Sequence, residues 1–201
     1  MAPVEAAFRE QWPEARIAHL LENSLFADFG RDGTLTDRMI ERFRMIGRYC
    51  AFAGADAILF TCSAFGPAIE AVKRDHPFPV LKPNEALYDD MLGVRGRIAL
   101  LATFPPSLPS MMAEIEAHAR ARGVTLQVEP RLVEGALDAL LARRPEEHHR
   151  LIAEAASRLH DHAAVAFAQF SMAPARAHTP TRLPIMTTPD SAIAKLKRLM
   201  A

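Results

Sequence analysis

The sequence predicts an α/β protein of two pseudo-symmetric lobes, each a mainly parallel sheet flanked by helices, with the first lobe lacking its opening strand. Three observations predict it. Amphipathic helical stripes alternate with short apolar runs along most of the 201 residues. The runs are apolar at consecutive positions, as in parallel strands buried on both faces. The two halves of the chain also repeat one another.

Val4, Phe8 and Trp12 fall at helical spacing and predict a first helix over Val4–Trp12. Arg16–Leu21 (RIAHLL) reads as a strand. Met39, Ile40, Phe43, Ile46, Tyr49 and Phe52 form a helical stripe. Thr36 is its N-cap, Asp37 complements its first turn, and Gly54 is its stop. Asp56–Thr61 (DAILFT) is a short strand, followed by a helix over Pro67–Arg74. Pro79–Leu81 is another strand, with Asn84 capping the next helix. Gly96–Thr103 (GRIALLAT) is the clearest strand in the chain. A helix over Ser107–Arg122 stops at Gly123, and Val124–Val128 follows as a strand. Helices over Val133–Ala142 and Pro145–His160 lead to the apolar run Ala163–Gln169. Leu183–Met186 is the last strand, and a helix from Asp190 closes the chain. Parallel sheets of this kind place ligand chemistry at the C-terminal ends of their strands.

The repeat divides the chain into lobes at 1–92 and 93–201, with the chain able to run back into the first lobe near its C-terminus. FPVLKPNEAL, from Phe78, echoes LPIMTTPDSAI, from Leu183. ADAILFTCSAFGPA, from Ala55, echoes HAAVAFAQFSMAPA, from His162, and sets Cys62 against Gln169. The helix holding Met39 echoes the one over Pro145–His160. Two such lobes facing each other bring their strand ends to one cleft. The second lobe opens with Gly96–Thr103 and a Phe104-Pro105-Pro106 turn, whereas the matching first-lobe helix begins at Ala2-Pro3 with nothing before it. The expectation is a start upstream of Met1, or a chain shortened by one strand.

Composition narrows the function classes. Half of the residues are hydrophobic, enough for a substantial core, and Lys+Arg balance Asp+Glu at 24 each. Zero net charge argues against a nucleic-acid or membrane-surface partner, both of which favour a basic excess. No apolar run approaches the roughly 20 residues of a membrane span, and the acidic N-terminus is not a signal peptide. Cys50 and Cys62 form no disulfide framework or metal-binding spacing, which fits a reducing cytoplasmic compartment. Among eight histidines, His148 and His149 point about 100° apart on a helix. They read as solvated or capping side chains, as do His160 and His162, and no metal site is expected. Cys50 lies in a helical stripe and reads as core. Arg143-Arg144 reads as a surface pair at a helix end.

The chemistry-bearing stretch is Ile58–Pro67, ILFTCSAFGP, where an apolar run ends abruptly in Thr61-Cys62-Ser63. The paired turns, Thr61-Cys62-Ser63 and Ala168-Gln169-Phe170-Ser171, together with the duplicated lobe and the PVLKPNEA segment, resemble the Asp/Glu/hydantoin racemase superfamily. The resemblance covers nearly the whole chain apart from the opening strand. It implies one active site between the lobes, no cofactor and a small carboxylate or amino-acid substrate. It also implies a homodimer. In this family two cysteines, one per lobe, remove and return the α-proton on opposite faces. A carbon acid loses its proton to a thiolate on one face, and inversion needs a thiol donor on the other. Backbone N–H groups at a helix start stabilise such an anion and the enolate oxygens that develop.

Cys62 matches the first family cysteine, but Gln169 stands where the second belongs, and an amide neither gives nor takes protons usefully near neutral pH. The expectation is therefore a racemase-like isomerase with Cys62 as its catalytic group and two-thiol racemisation in doubt. Gln169, Thr61, Ser63, Thr103, Ser171 and Lys82 are its substrate-binding candidates. Thr103 would bind a carboxylate through its hydroxyl and neighbouring amides, and Lys82 would pair with a substrate carboxylate or the thiolate. The alternatives are a single-thiol decarboxylase or isomerase, in the manner of the arylmalonate decarboxylases, and a catalytically silent carboxylate-binding protein. Arylmalonate decarboxylases keep the second-lobe cysteine, so the match to them lies in logic rather than position.

Overall fold

A computed structural model describes residues 1–201. The helices are α1 (Ala2–Gln11), α2 (Ser24–Asp32), α3 (Asp37–Phe52), α4 (Gly66–Asp75), α5 (Glu85–Leu92), α6 (Ser107–Arg120), α7 (Ala136–Leu141), α8 (Pro145–Ser157) and α9 (Thr188–Met200). The strands are β1 (Ile58–Leu59), β2 (Val80–Leu81), β3 (Arg97–Ala102), β4 (Gln127–Leu132), β5 (Ala164–Phe167) and β6 (Ile185–Thr187). Two all-parallel sheets result, β1-β2 in the first lobe and β4-β3-β5-β6 in the second.

Side chains alternate across each strand, so each sheet sorts its apolar residues into two cores. In the second lobe Ala99, Leu101, Val165 and Phe167 pack with Ile152 and Ala156 of α8. On the other face Ile98, Leu100, Ala102 and Ala166 pack with α5 (Leu87, Met91) and α6 (Met111, Ile115). In the first lobe Ile58 and Val80 meet Met39 and Phe43 of α3 and Ile69 and Val72 of α4. Leu59 and Leu81 meet α1 (Val4, Ala7) and α9 (Ile193, Leu196) on the opposite face. Each lobe is thus closed by a helix from the other half of the chain. Where these two helices meet, Lys195 of α9 bonds Asp89 of α5 at 2.7 Å.

The repeat is visible in the backbone itself. Ile58 pairs with Val80 and donates its amide to Pro79 at 2.9 Å. Val165 pairs with Ile185 and donates to Pro184, also at 2.9 Å. Local signals act as expected at several ends. Thr36 accepts the Met39 amide at 3.3 Å, and Gly123, just beyond α6, takes a φ of 66°.

Four expectations are corrected. Arg16–Leu21 joins no sheet and leaves Ile17, Leu20 and Leu21 exposed. Its counterpart β4 pairs with β3, and the first lobe has no strand in the β3 position to supply that ladder. The stretch from Ser24 forms α2, which sequence reading passed over. β4 begins at Gln127 and runs through Pro130, which is tolerated because β4 is an edge strand. His148 is fully buried, its Nδ1 donating to the Ala136 carbonyl at 2.7 Å. The side chain of His162 is also buried, its Nε2 lying 3.0 Å from Glu129. Neither is a solvated or capping histidine.

Candidate active site

The end of β1 sets the site. Beyond Leu59 the chain continues to Cys62, whose φ of −119° and ψ of 120° are extended. A single 3-10 turn, Ser63–Phe65, then feeds α4. Phe65 anchors that turn in the core, its ring 5.0 Å from Phe43 and 5.4 Å from Phe29. Held between buried Ile58 and buried Phe65, Cys62 itself is exposed, as are Thr61 and Ser63. Cys50 by contrast is half-buried on α3, and burial pushes its thiol pKa up.

The second lobe reproduces the turn. Beyond β5, Gln169 has φ −123° and ψ 148° and leads into a 3-10 helix, Phe170–His178, anchored by buried Met172. The Gln169 side chain is committed to its own lobe. Its Oε1 accepts the backbone amide of Thr103 at 3.0 Å, and its Nε2 lies 3.4 Å from Ser107 Oγ, which it can reach as donor. Thr103 is the buried residue that follows β3, so the first amide of the β3–α6 loop is already satisfied. Ser171 lies in the 3-10 helix Phe170–His178.

A cavity of about 220 Å³ opens beside the Cys62 turn, lined among others by Ser63, Lys82, Asn84, Tyr88, Glu114 and His118. Lys82 follows β2 and meets Glu70 at 2.8 Å. Burial pulls the Lys82 pKa down, but the hydrogen bond and attraction of Glu70 outweigh it, and the net shift is upward. The phenol of Tyr88 donates to Glu114 at 3.2 Å. Burial and then the Glu114 charge hold its proton well above the usual phenol range. His118 faces Asp89 at 2.8 Å. Buried Glu85 takes Lys73 and, at 3.3 Å, Lys195.

Ser63 and Lys82 thus share one cavity, and Thr103 and Gln169 share a hydrogen bond. Cys62, Thr103 and Gln169 are not in the cavity wall. Asn84, Tyr88, Glu114 and His118 escaped sequence reading. Asn84 was expected to cap a helix, yet its side chain makes no cap bond to α5 and is buried. Glu114 and His118 stand at i and i+4 on α6, a legible pairing, but the approach of α5 to α6 leaves no local signal.

A family model described as Asp/Glu/hydantoin racemase matches residues 20–168. The chain belongs to the Asp/Glu/hydantoin racemase family. Membership places it among racemase-type enzymes and their relatives. Solved structures carry the same fold. A glutamate racemase isoform from Bacillus anthracis aligns over 99% of this chain and 77% of its own, with 10% identity and a TM-score of 0.63. An aspartate racemase homologue from Pyrococcus horikoshii OT3 aligns over 98% and 90%, with 16% identity and a TM-score of 0.64. Unliganded arylmalonate decarboxylase aligns over 84% and 78%, with 14% identity and a TM-score of 0.58. No curated protein matches the chain. No helix is long and apolar enough to cross a membrane, and no three His, Cys, Asp or Glu side chains are grouped to hold a metal ion.

Proposed function

We infer that this racemase-family protein acts at the α-carbon of a small carboxylate or amino acid, without a cofactor, with Cys62 as its single proton-transfer group. One observation carries the reading. The thiol at the first strand end is exposed, while its counterpart is an amide already bonded to Thr103 and Ser107. A thiolate at Cys62 would remove the α-proton, or a thiol there would protonate an enediolate left by loss of CO2. In either case the proton moves on one face only, because Gln169 offers no second acid or base. The amides of the Ser63–Phe65 turn favour negative charge beside the sulfur. Lys82, Ser63 and Thr61 are the groups proposed to hold substrate on the first-lobe side, with Thr103 and Ser171 on the second.

A catalytically silent carboxylate-binding protein is the second reading. It is favoured by the Gln169 carbonyl occupying the Thr103 amide, a donor that could otherwise hold a substrate oxygen.

Incubation in D2O with aspartate, glutamate, allantoin and an arylmalonate, followed by proton NMR, separates the readings. One-base catalysis predicts deuterium at the α-carbon of one enantiomer, or CO2 release with one-handed product, and loss of either in Cys62→Ala. Exchange that survives Cys62→Ala would refute the assignment. No exchange with any of them, alongside saturable carboxylate binding, would favour the silent binder.

A further inference from the structure

The cavity beside the Cys62 turn contains one carboxylate that its neighbours do not neutralise. Lys82, Glu85, Glu114 and His118 all line it. Lys82 is paired with Glu70, Glu85 with Lys73 and Lys195, and His118 with Asp89. Glu114 alone forms no ion pair. Its one hydrogen bond comes from the Tyr88 phenol, which reaches Oε2 at 3.2 Å and leaves Oε1 without a partner. A carboxylate can accept about four hydrogen bonds, and one drawn part-way out of water favours a cation beside it. Asn84, 5% exposed, lines the same wall with an amide that makes no cap bond to α5. Its carbonyl is a second, neutral acceptor.

This cavity lies to one side of the reacting centre. Ser63 is in its wall, whereas Cys62, Thr103 and Gln169 are not. Ser107, on the first turn of α6, lies 3.4 Å from the Gln169 amide. Glu114 stands two turns farther along the same face of α6, a rise of about 10 Å. An ammonium one bond from the α-carbon does not span that offset, but one at the end of a short alkyl side chain does. The cavity volume of about 220 Å³ equals that of about seven waters, room for such a side chain and not for a peptide.

We propose that the cavity is a side-chain pocket for a small diamino carboxylate, with Glu114 as the residue that selects its distal ammonium. The α-carbon is located by the Cys62 reading, on which the pocket's role depends. Tyr88 donates to Glu114 and so orients the carboxylate, and Asn84 adds its carbonyl. Charge also works against the wrong ligands. A dicarboxylate would set its second carboxylate against Glu114, and a ligand entering ammonium first would leave that cation beside Lys82.

Titration calorimetry at pH 7.5 tests the pocket, using ornithine, its uncharged isostere norleucine, and glutamate, on wild type and Cys62→Ala. Ornithine should bind at least about tenfold more tightly than either of the others, in both proteins. Glu114→Gln should erase that advantage and leave norleucine binding as it was. Tyr88→Phe, which removes the group orienting Glu114, should reduce the advantage in part. Failure of ornithine to bind, equal affinity for norleucine, tighter binding of glutamate, or an ornithine preference that survives Glu114→Gln overturns the proposal. Deuterium uptake in D2O separates this result from the Cys62 reading. Ornithine held through Glu114 without exchange at its α-carbon removes that reading and leaves the pocket standing. Cys62-dependent exchange on glutamate, with no preference for ornithine, does the reverse.

Discussion

The side-chain carbonyl of Gln169 accepts the backbone amide of Thr103 at 3.0 Å, joining the end of β5 to the end of β3. Gln169 is a structural tie within the second lobe. The same bond positions the β3–α6 loop, since Ser107 on the first turn of α6 lies within reach of the amide nitrogen.

Gln169→Leu should therefore destabilise the protein even though an apolar residue fills the space. Thr103, buried just beyond β3, would lose the partner of its amide, a loss of about 1–3 kcal/mol. Gln169→Glu keeps an acceptor and should lose less. Urea unfolding of the three proteins checks the order, and equal midpoints for wild type and Gln169→Leu would show that the bond carries no stability.

The two thiols should separate kinetically. Cys62 is exposed, whereas Cys50 is half-buried with its thiol pKa raised by burial. Iodoacetamide at pH 7.5 should add one label quickly and the second only on unfolding, and Cys62→Ser should remove the fast phase. Peptide mapping by mass spectrometry reads this directly. Fast labelling of Cys50 would contradict the packing described.

Acid should loosen the contact between α5, α6 and α9 through Asp89. Burial raises the pKa of that carboxyl, but hydrogen bonds from Lys195 and His118 outweigh it, and the net shift is downward from 3.8. A carboxyl whose pKa is lower folded than unfolded stabilises the fold above its unfolded value, and that contribution disappears as pH falls through the folded value. Asp89→Asn should cost about 1 kcal/mol near pH 7, a modest figure because solvent reaches and screens the carboxylate. The difference from wild type should narrow as pH falls below 3.8. Thermal unfolding from pH 2.5 to 7.5 checks this, and a gap that is constant with pH would assign the loss to packing.

How much of this was legible beforehand follows from the range of the interactions. Arg97–Ala102 reads as a strand because five consecutive apolar residues, Ile98–Ala102, imply that both faces are covered. Cys62 reads as a strand-end residue because an apolar run stops at Thr61-Cys62-Ser63. Arg16–Leu21 carries the same kind of signal and still forms no strand, because a ladder needs a neighbour that local sequence does not encode. The partners of Gln169 are hidden for a related reason, since Thr103 lies in the loop after another strand and offers only its backbone. Asn84 is the N-cap residue of α5, as its type suggests, but its side chain makes no cap bond and lines the cavity, which residue type alone does not show.

Gly47 fixes how closely α3 approaches α4, and its substitution tests that packing. A Cβ at this position would lie 2.6 Å from Val72 Cγ1 and 2.8 Å from His76 Nε2, both well inside contact distance. Alanine improves helix propensity by up to about 1 kcal/mol, but overpacking a buried contact costs about 1–3 kcal/mol. The clash should prevail and lower the melting temperature. Val72→Ala removes one of the two obstructing groups and alone leaves a cavity in the first-lobe core. Combined with Gly47→Ala it should be less damaging than the sum of the two single changes, because each new methyl deficit or excess offsets the other. Strict additivity in a double-mutant cycle would mean that the two side chains do not meet, and that the first lobe packs α3 against α4 some other way.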